Sequence, residues 1–366
     1  MKSIHKNHGL ERHLFLRRLP PLHSLTVFAA AAASGSFSRA AELLFVTQGA
    51  VSRQIQQLET HLGCTLFTRH KRGLRLTDEG RALLPVVEDA MGRLAGACDG
   101  LRNMGQVGLV LVAAWHLSLQ HELLHGHPTR RAALNQLFGV FPISVWYPFA
   151  IYRDSHLLHH RDARLTAPGL DPEGNYVNAT AYQQGLPAWQ ALQWALRTVV
   201  GRLLLGPLLA ISSAWWHLLT ALWRRDFTYL GDWLVHLLLL LPMLWWANAL
   251  AGLTPLHYLL GIAYPALGLA MLRSFYEHRP AAVPAHRIVI NEAAWPWQLL
   301  YLNNNYHAVH HAHPGLAWYR IPAAYRADRD GYLQRNGGFL VKGYGRLLWR
   351  HALRPVDSPV HPGFKP

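Results

Sequence analysis

Disulfide chemistry is closed to this chain: its 366 residues hold two cysteines, Cys64 and Cys98. That is too few for a stapled framework, and a reducing compartment is the simpler reading. Charge is scarce as well, at 15% against about 25% in ordinary soluble proteins, which argues against a wholly soluble class. Acidic residues are the rarer sign, 20 against 35 basic, for a net charge of +15. The N-terminus has basic residues but no apolar core of a signal peptide, so nothing there reads as a cleaved address. After residue 103 no alternation of strand and helix patterns appears, which excludes an α/β effector domain there.

What the sequence does hold divides at residue 103. Residues 1–103 carry 14 basic and 8 acidic side chains and the remainder 21 and 12, while 18 of the 24 histidines lie after residue 103. A basic surface suits nucleic acid in the first part and an anionic cytoplasmic leaflet in the second. Residues 1–20 are polar, basic and without periodicity, which predicts a disordered lead-in. Residues 21–78 read as a winged helix-turn-helix, 79–103 as a long linker or dimerisation helix, and 104–366 as a membrane-embedded domain.

Helical periodicity begins at Leu22, Leu25 and Phe28. Ser36 is placed to cap a short helix running to Leu44, and Thr47 to cap a second running to about Leu62. The start of such a second helix enters the major groove. Here it offers Thr47, Gln48, Ser52, Arg53 and Gln56, donors suited to base edges and phosphates, while Val51, Ile55 and Leu58 face the core. Two short strands around a basic tip follow, a wing whose Arg69, Lys71 and Arg72 suit the phosphate backbone. The runs Ser36 to Ala41, Val46 to Ile55, Leu66-Phe67 and Leu76 to Gly80 resemble the DNA-binding domain of LysR-type regulators. That resemblance implies DNA as a partner and a homodimer through the linker helix.

The second part is apolar in stretches. Val107 to Leu119 is short for a bilayer crossing, which needs about 20 apolar residues, and a segment that dips in and returns fits its length. Ala132 to Ile151 carries Pro142 and Pro148, which argues against a straight crossing. Leu203 to Trp223, Trp233 to Leu253 and Pro255 to Leu272 follow, the last two joined so tightly that they predict a helical hairpin.

Three histidine clusters stand between and beside these stretches: His121 with His125, then His156, His159 and His160, then His307, His310 and His311. Spacing of i, i+3 and i+4 puts the imidazoles of a cluster on one helical face, and neutral imidazole is a good ligand for iron, copper and zinc. If the clusters share one site, the chain crosses the bilayer an even number of times between His160 and His307. The hairpin supplies two crossings, so Leu203 to Trp223 is expected to lie along the interface or against the hairpin. Glu277-His278, directly after the hairpin, is placed to add a ligand. Lone histidines at positions 116, 217, 236 and 257 read as hydrogen-bonded core residues.

His121-Glu122 through Pro128, Tyr152 through His160 and Asn303 through His311 resemble the membrane fatty acid desaturase superfamily, which also includes hydroxylases and ketolases. The fold class is then mainly α, a winged helix-turn-helix followed by an integral-membrane helical domain. The resemblance implies two non-haem iron ions held by His121, His125, His156, His159, His160, His278, His307, His310 and His311. It also implies dioxygen as co-substrate, a lipid or acyl chain as substrate, and an external electron donor of ferredoxin, rubredoxin or cytochrome type. Glu122, Asp154 and Glu277 are expected to accept the other ring N–H of ligand histidines. The expected location is the bacterial inner membrane, with both the DNA reader and the metal site on the cytoplasmic side. The competing expectation is a LysR-type regulator tethered to a degenerate or sensory membrane domain.

Overall fold

The structure is a computed structural model describing residues 19–70, 73–161 and 165–363. Most of the expected lead-in and the wing tip Lys71-Arg72 therefore lie outside the described residues, as do the side chains of Arg69 and Arg161. The chain forms two compact units, residues 1–104 and 105–366.

The first unit packs α1 (Leu22–Ser34), α2 (Phe37–Leu43) and α3 (Gln48–Leu62). Ser36 Oγ accepts the Arg39 N–H and Thr47 Oγ1 the Ala50 N–H, satisfying amides that a helix start leaves free. Phe45, at φ 53°, makes the left-handed turn between α2 and α3. Val27, Phe28, Ala31, Val51, Ile55, Leu58 and Leu66 form the core, each large side chain worth about 1.5–3 kcal/mol on burial. Strands β1 (Phe67–His70) and β2 (Gly73–Leu76) pair antiparallel, Phe67 opposite Leu76. The carboxylate of Glu59 fixes the wing to α3 by accepting the Leu66 and Phe67 N–H groups.

Next, α4 spans Asp78–Leu124 without a break. This corrects two expectations: the linker helix does not stop at residue 103, and the apolar segment before His121 does not turn back on itself; His125 lies in the turn that follows the helix. Glycines at 105 and 108 and a shift in composition mark a boundary in the sequence, but a glycine costs a helix only about 1 kcal/mol and the helix runs through.

In the second unit, α5 (Ala132–Gly139) and α6 (Phe149–Arg161) precede a long loop. Helices α7 (Ala179–Gln184), α8 (Pro187–Leu196), α9 (Val199–Trp223) and α10 (Leu230–Ala251) come after it. Then α11 (Pro255–Tyr276) returns, with a π-helical stretch at Tyr258–Ala263. Gly252, at φ 64°, closes α10 in the left-handed conformation and Thr254 caps the first turn of α11, making the expected hairpin. Helices α4, α9, α10 and α11 are long and apolar enough to cross a membrane. Ala113 and Ala114 of α4, Met243 and Ala247 of α10, and Ile262 and Ala266 of α11 form one buried cluster.

The start of α9 and the segment after it are each tied to the part of the chain around α6. Arg202 donates to Asn175 Oδ1 at 2.8 Å, and beyond the helix Tyr229 OH donates to Asp154 Oδ2 at 3.0 Å. Between these ties Gly206 faces the Met271 sulfur and Gly268 of α11 faces the Leu203 carbonyl, closer than a Cβ would permit. Helix α9 thus packs closely against α11, as the expected contact with the hairpin requires.

The remaining elements are β3 (Ile290–Asn291), α12 (Trp295–Leu300), α13 (His307–Ala312), α14 (Ile321–Ala327), α15 (Arg329–Arg335), β4 (Leu340–Val341) and α16 (Tyr344–Arg350). Strands β3 and β4 pair in parallel. Asn291 N–H donates to Asn305 O at 2.8 Å and Ala308 N–H to Val289 O at 2.9 Å, seating the start of α13 against this pair.

Candidate metal centre and nucleic-acid interface

Four separate segments bring nine imidazoles together: the C-terminal end of α4, α6, the segment after α11, and α13. They fall into two groups. His121, His125, His156, His160 and His310 form one, and His159, His278, His307 and His311 the other, with the nearest nitrogens of each group within 4.8 Å of one another. The i, i+3, i+4 clusters thus do not stay together, because α6 and α13 each send residues to both groups. His127 is in neither.

Three rings are oriented from behind. His156 Nδ1 donates to Glu173 Oε1 at 2.8 Å, His159 Nδ1 to Asp171 Oδ1 at 2.8 Å, and His307 Nδ1 to Asn304 Oδ1 at 3.2 Å. A neutral ring whose proton is on Nδ1 turns a lone pair outward from Nε2. In the second group the Nε2 atoms of His159, His278, His307 and His311 follow one another at 3.1 Å. A ring nitrogen has one lone pair or one proton and serves one in-plane contact, yet His278 and His307 Nε2 each sit in two. Likewise His160 Nε2 lies 3.0 Å from His156 Nε2 and 3.1 Å from His310 Nε2. Hydrogen bonds among neutral rings cannot satisfy these contacts, whereas a cation on which the lone pairs converge does. The buried Nε2 of His125 has no hydrogen-bond partner. The donor set therefore fits two metal ions.

Burial disfavours the charged form of several of these rings. Burial, reinforced by neighbouring imidazoles, pushes His125 and His278 down to about 3 and His160 down to about 2. The same causes hold His307, His310 and His311 well below the usual range. Burial alone would raise Glu173, but His156 and His159 outweigh it and hold the carboxyl ionised. His159 moves the other way: burial opposes its charge, and the hydrogen bond to Asp171 with nearby carboxylates raises it nonetheless.

The expected orienting carboxylates are corrected in part. Asp154 pairs with Arg153 and Tyr229 and touches no candidate ligand. Glu122 and Glu277 stand 3.7 Å from His121 Nδ1 and His307 Nδ1, beyond hydrogen-bond reach, and Glu122 Oε2 instead accepts the Trp318 N–H at 3.2 Å. The sequence reasoning missed Asp171, Glu173 and Asn304. A loop dense in proline and glycine signals a turn, not which of its acids points inward. Of the lone histidines, His236 is the expected hydrogen-bonded residue, bound to Val145 O at 2.9 Å, whereas His217 and His257 are exposed.

In the first unit Thr47, Gln48, Arg53 and Gln56 are exposed along the start of α3, and Ser52 is half-buried. The backbone of Arg69 lies in β1.

Comparison with known proteins separates the same two parts. Residues 22–81 match the family described as bacterial regulatory helix-turn-helix protein, lysR family, which implies DNA binding. Over 97 residues the chain is 46% identical to the glycine cleavage system transcriptional activator of Escherichia coli (strain K12), covering 26% of this chain and 32% of that protein. It is 52% identical over 79 residues to the HTH-type transcriptional activator AmpR of Citrobacter freundii, covering 22% and 27%. The chain thus spans about a third of the length of these relatives. A crystal structure of a CbnR_DBD–DNA complex matches 23% of this chain and 98% of its own, at 33% identity and a TM-score of 0.22. Residues 104–342 match the family described as fatty acid desaturase. Over most of its length the chain belongs to the fatty acid desaturase family, and it carries a LysR-type helix-turn-helix beside that domain.

Proposed function

We propose that the chain is an integral-membrane, oxygen-dependent, di-iron desaturase of lipid acyl chains that also reads DNA through α3. The observation that carries the metal reading is the pair of imidazole groups whose Nε2 lone pairs converge. Family membership implies iron-dependent chemistry. His121, His125, His156, His160 and His310 would hold one ion, and His159, His278, His307 and His311 the other. Bound iron would supply activation of dioxygen and removal of hydrogen from an unactivated C–H bond, with the two further electrons needed to reduce dioxygen to water coming from an external donor.

The chain's own part is positioning. Asp171, Glu173 and Asn304 fix ring orientation and tautomer, which typically matters about 10–100-fold in metal affinity. His121, His156, His159, His307 and His310 are at most 2% exposed, while His125, His160, His278 and His311 are half-buried. Between α4, α11 and α12 an apolar cavity of about 620 Å³ is lined by Leu111, Trp115, Leu269, Trp297 and Leu300. Ser118, one helical turn before His121, donates to Leu300 O at 2.8 Å and fixes the cavity wall to the ligand-bearing helix. Apolar walls beside membrane-length helices suit a hydrocarbon chain.

The test is iron content of detergent-purified protein together with lipid profiling of expressing cells. About two irons per chain and new unsaturated acyl chains, both lost in a His307→Ala, His310→Ala variant, support the reading. Metal-free protein that still shifts a DNA probe would instead favour a tethered regulator, and hydroxylated products a hydroxylase of the same family.

A further inference from the structure

The desaturase family match ends at residue 342, yet the chain beyond it reaches back to the histidine groups. Asp171 and Glu173, which orient His159 and His156, lie in a loop between Thr166 and Val177. At one end of that loop Val177 N–H donates to Pro359 O at 2.9 Å and His361 N–H donates to Val177 O at 2.9 Å. At the other end His361 Nε2 lies 3.1 Å from Thr166 Oγ1. Gly363 N–H donates to His361 Nδ1 at 3.2 Å, so the ring proton is on Nε2 and points at the threonine. Thr166 N–H in turn donates to Asp171 Oδ2 at 2.8 Å, while Asp171 Oδ1 holds His159.

Backbone strain marks the same spot. Thr166 has φ 70°, a conformation that is strained for a non-glycine residue and kept only where the surroundings impose it. Here a carboxylate and an imidazole hold the residue from two sides. Thr166, Asp171 and His361 are 1%, 7% and 9% exposed. Four residues earlier Asp357 forms an ion pair with Arg197 and accepts the Tyr176 hydroxyl at 2.6 Å. Tyr176 directly precedes Val177, so the C-terminal segment is anchored on both sides of its pairing with the loop.

We infer that residues 357–361 are a clasp holding the Asp171–Glu173 loop closed over both histidine groups, with His361 and Asp357 as positioning residues for metal binding. The inference rests on the proposed di-iron function. Through Asp171 the clasp acts on His159 in one group, and through Glu173 on His156 in the other.

Full-length protein in detergent, stripped of metal and titrated with cobalt(II), tests this by visible absorption. His361→Ala is expected to weaken cobalt binding about 10–100-fold and to shift the ligand-field bands, with the melting temperature of the metal-free protein unchanged. His361→Gln, which keeps an N–H donor towards Thr166, restores both affinity and bands, and Asp357→Asn weakens binding in the same direction as His361→Ala. Should His361→Ala not fold, Thr166→Val removes the same hydrogen bond and is read the same way. Unchanged affinity and bands in His361→Ala and Asp357→Asn overturn the clasp, as does a loss in His361→Gln equal to that in His361→Ala. Wild-type protein that takes up no cobalt overturns the metal reading itself, and the clasp with it.

Discussion

The two units are built inside out with respect to each other. In the first, Val27, Phe28, Val51, Ile55 and Leu58 are buried, and the side chains suited to recognition, Gln48, Arg53 and Gln56, are exposed. In the second, the chemistry-bearing histidines are buried or half-buried, and Leu238, Leu241, Trp245 and Trp216 are 66–71% exposed. A surface that meets DNA has polar donors outside and an ordinary apolar core within. A domain in lipid exposes its apolar residues, and its ionisable groups are costly and therefore clustered and functional. The same amino acid carries opposite information in the two settings. An exposed leucine is unremarkable in the second unit, and a buried histidine there stands out.

That contrast can be broken or sharpened by mutation. The largest effect is expected from the His307→Ala, His310→Ala pair, which takes one ligand from each group: metal content falls from about two ions per chain to none, while DNA binding is unchanged in a gel-shift assay. In the first unit Ile55→Ala should cost about 2–5 kcal/mol in stability, read as a lower unfolding midpoint of that unit with metal content intact. Arg53→Ala should leave folding unchanged by circular dichroism. It should weaken DNA binding by about 1–3 kcal/mol, roughly 5–150-fold; unchanged affinity would mean that α3 does not enter the groove as proposed. Glu173→Gln should lower metal affinity by about 10–100-fold in a chelator competition, with the protein still folded. The smallest effect is expected from Asp154→Asn, because its carboxylate bonds Arg153 and Tyr229 and not a histidine. Metal content that falls as far as in Glu173→Gln would overturn that assignment.

Much of this was legible in the sequence, and for a reason particular to each part. The caps Ser36 and Thr47 and the apolar positions Val51, Ile55 and Leu58 are local signals, so α2 and α3 could be read directly. The nine histidines were legible because helical spacing and an apolar context are also local. Their division into two groups was not, since it depends on how α6 and α13 rotate against each other, and no single segment encodes that. Nor was the length of α4: Gly105 and Gly108 weaken a helix without ending it. Asp171 and Glu173 escaped because an acid in a turn gains its role from contacts more than ten residues away, as Asp171 does from His159, and Asn304 because an amide three residues before a histidine does not announce that it turns towards the ring.

The way each histidine group is assembled bears on the order of events in the living cell. Each group includes a residue of α13, His310 in one and His307 with His311 in the other. A ribosome that has delivered the chain only as far as α11 has produced no complete set of donors for either ion. On the proposed metal reading, full loading of both groups would then wait until the chain beyond α11 has been made. A product stopped before α13 would lack His310 from one group and His307 with His311 from the other.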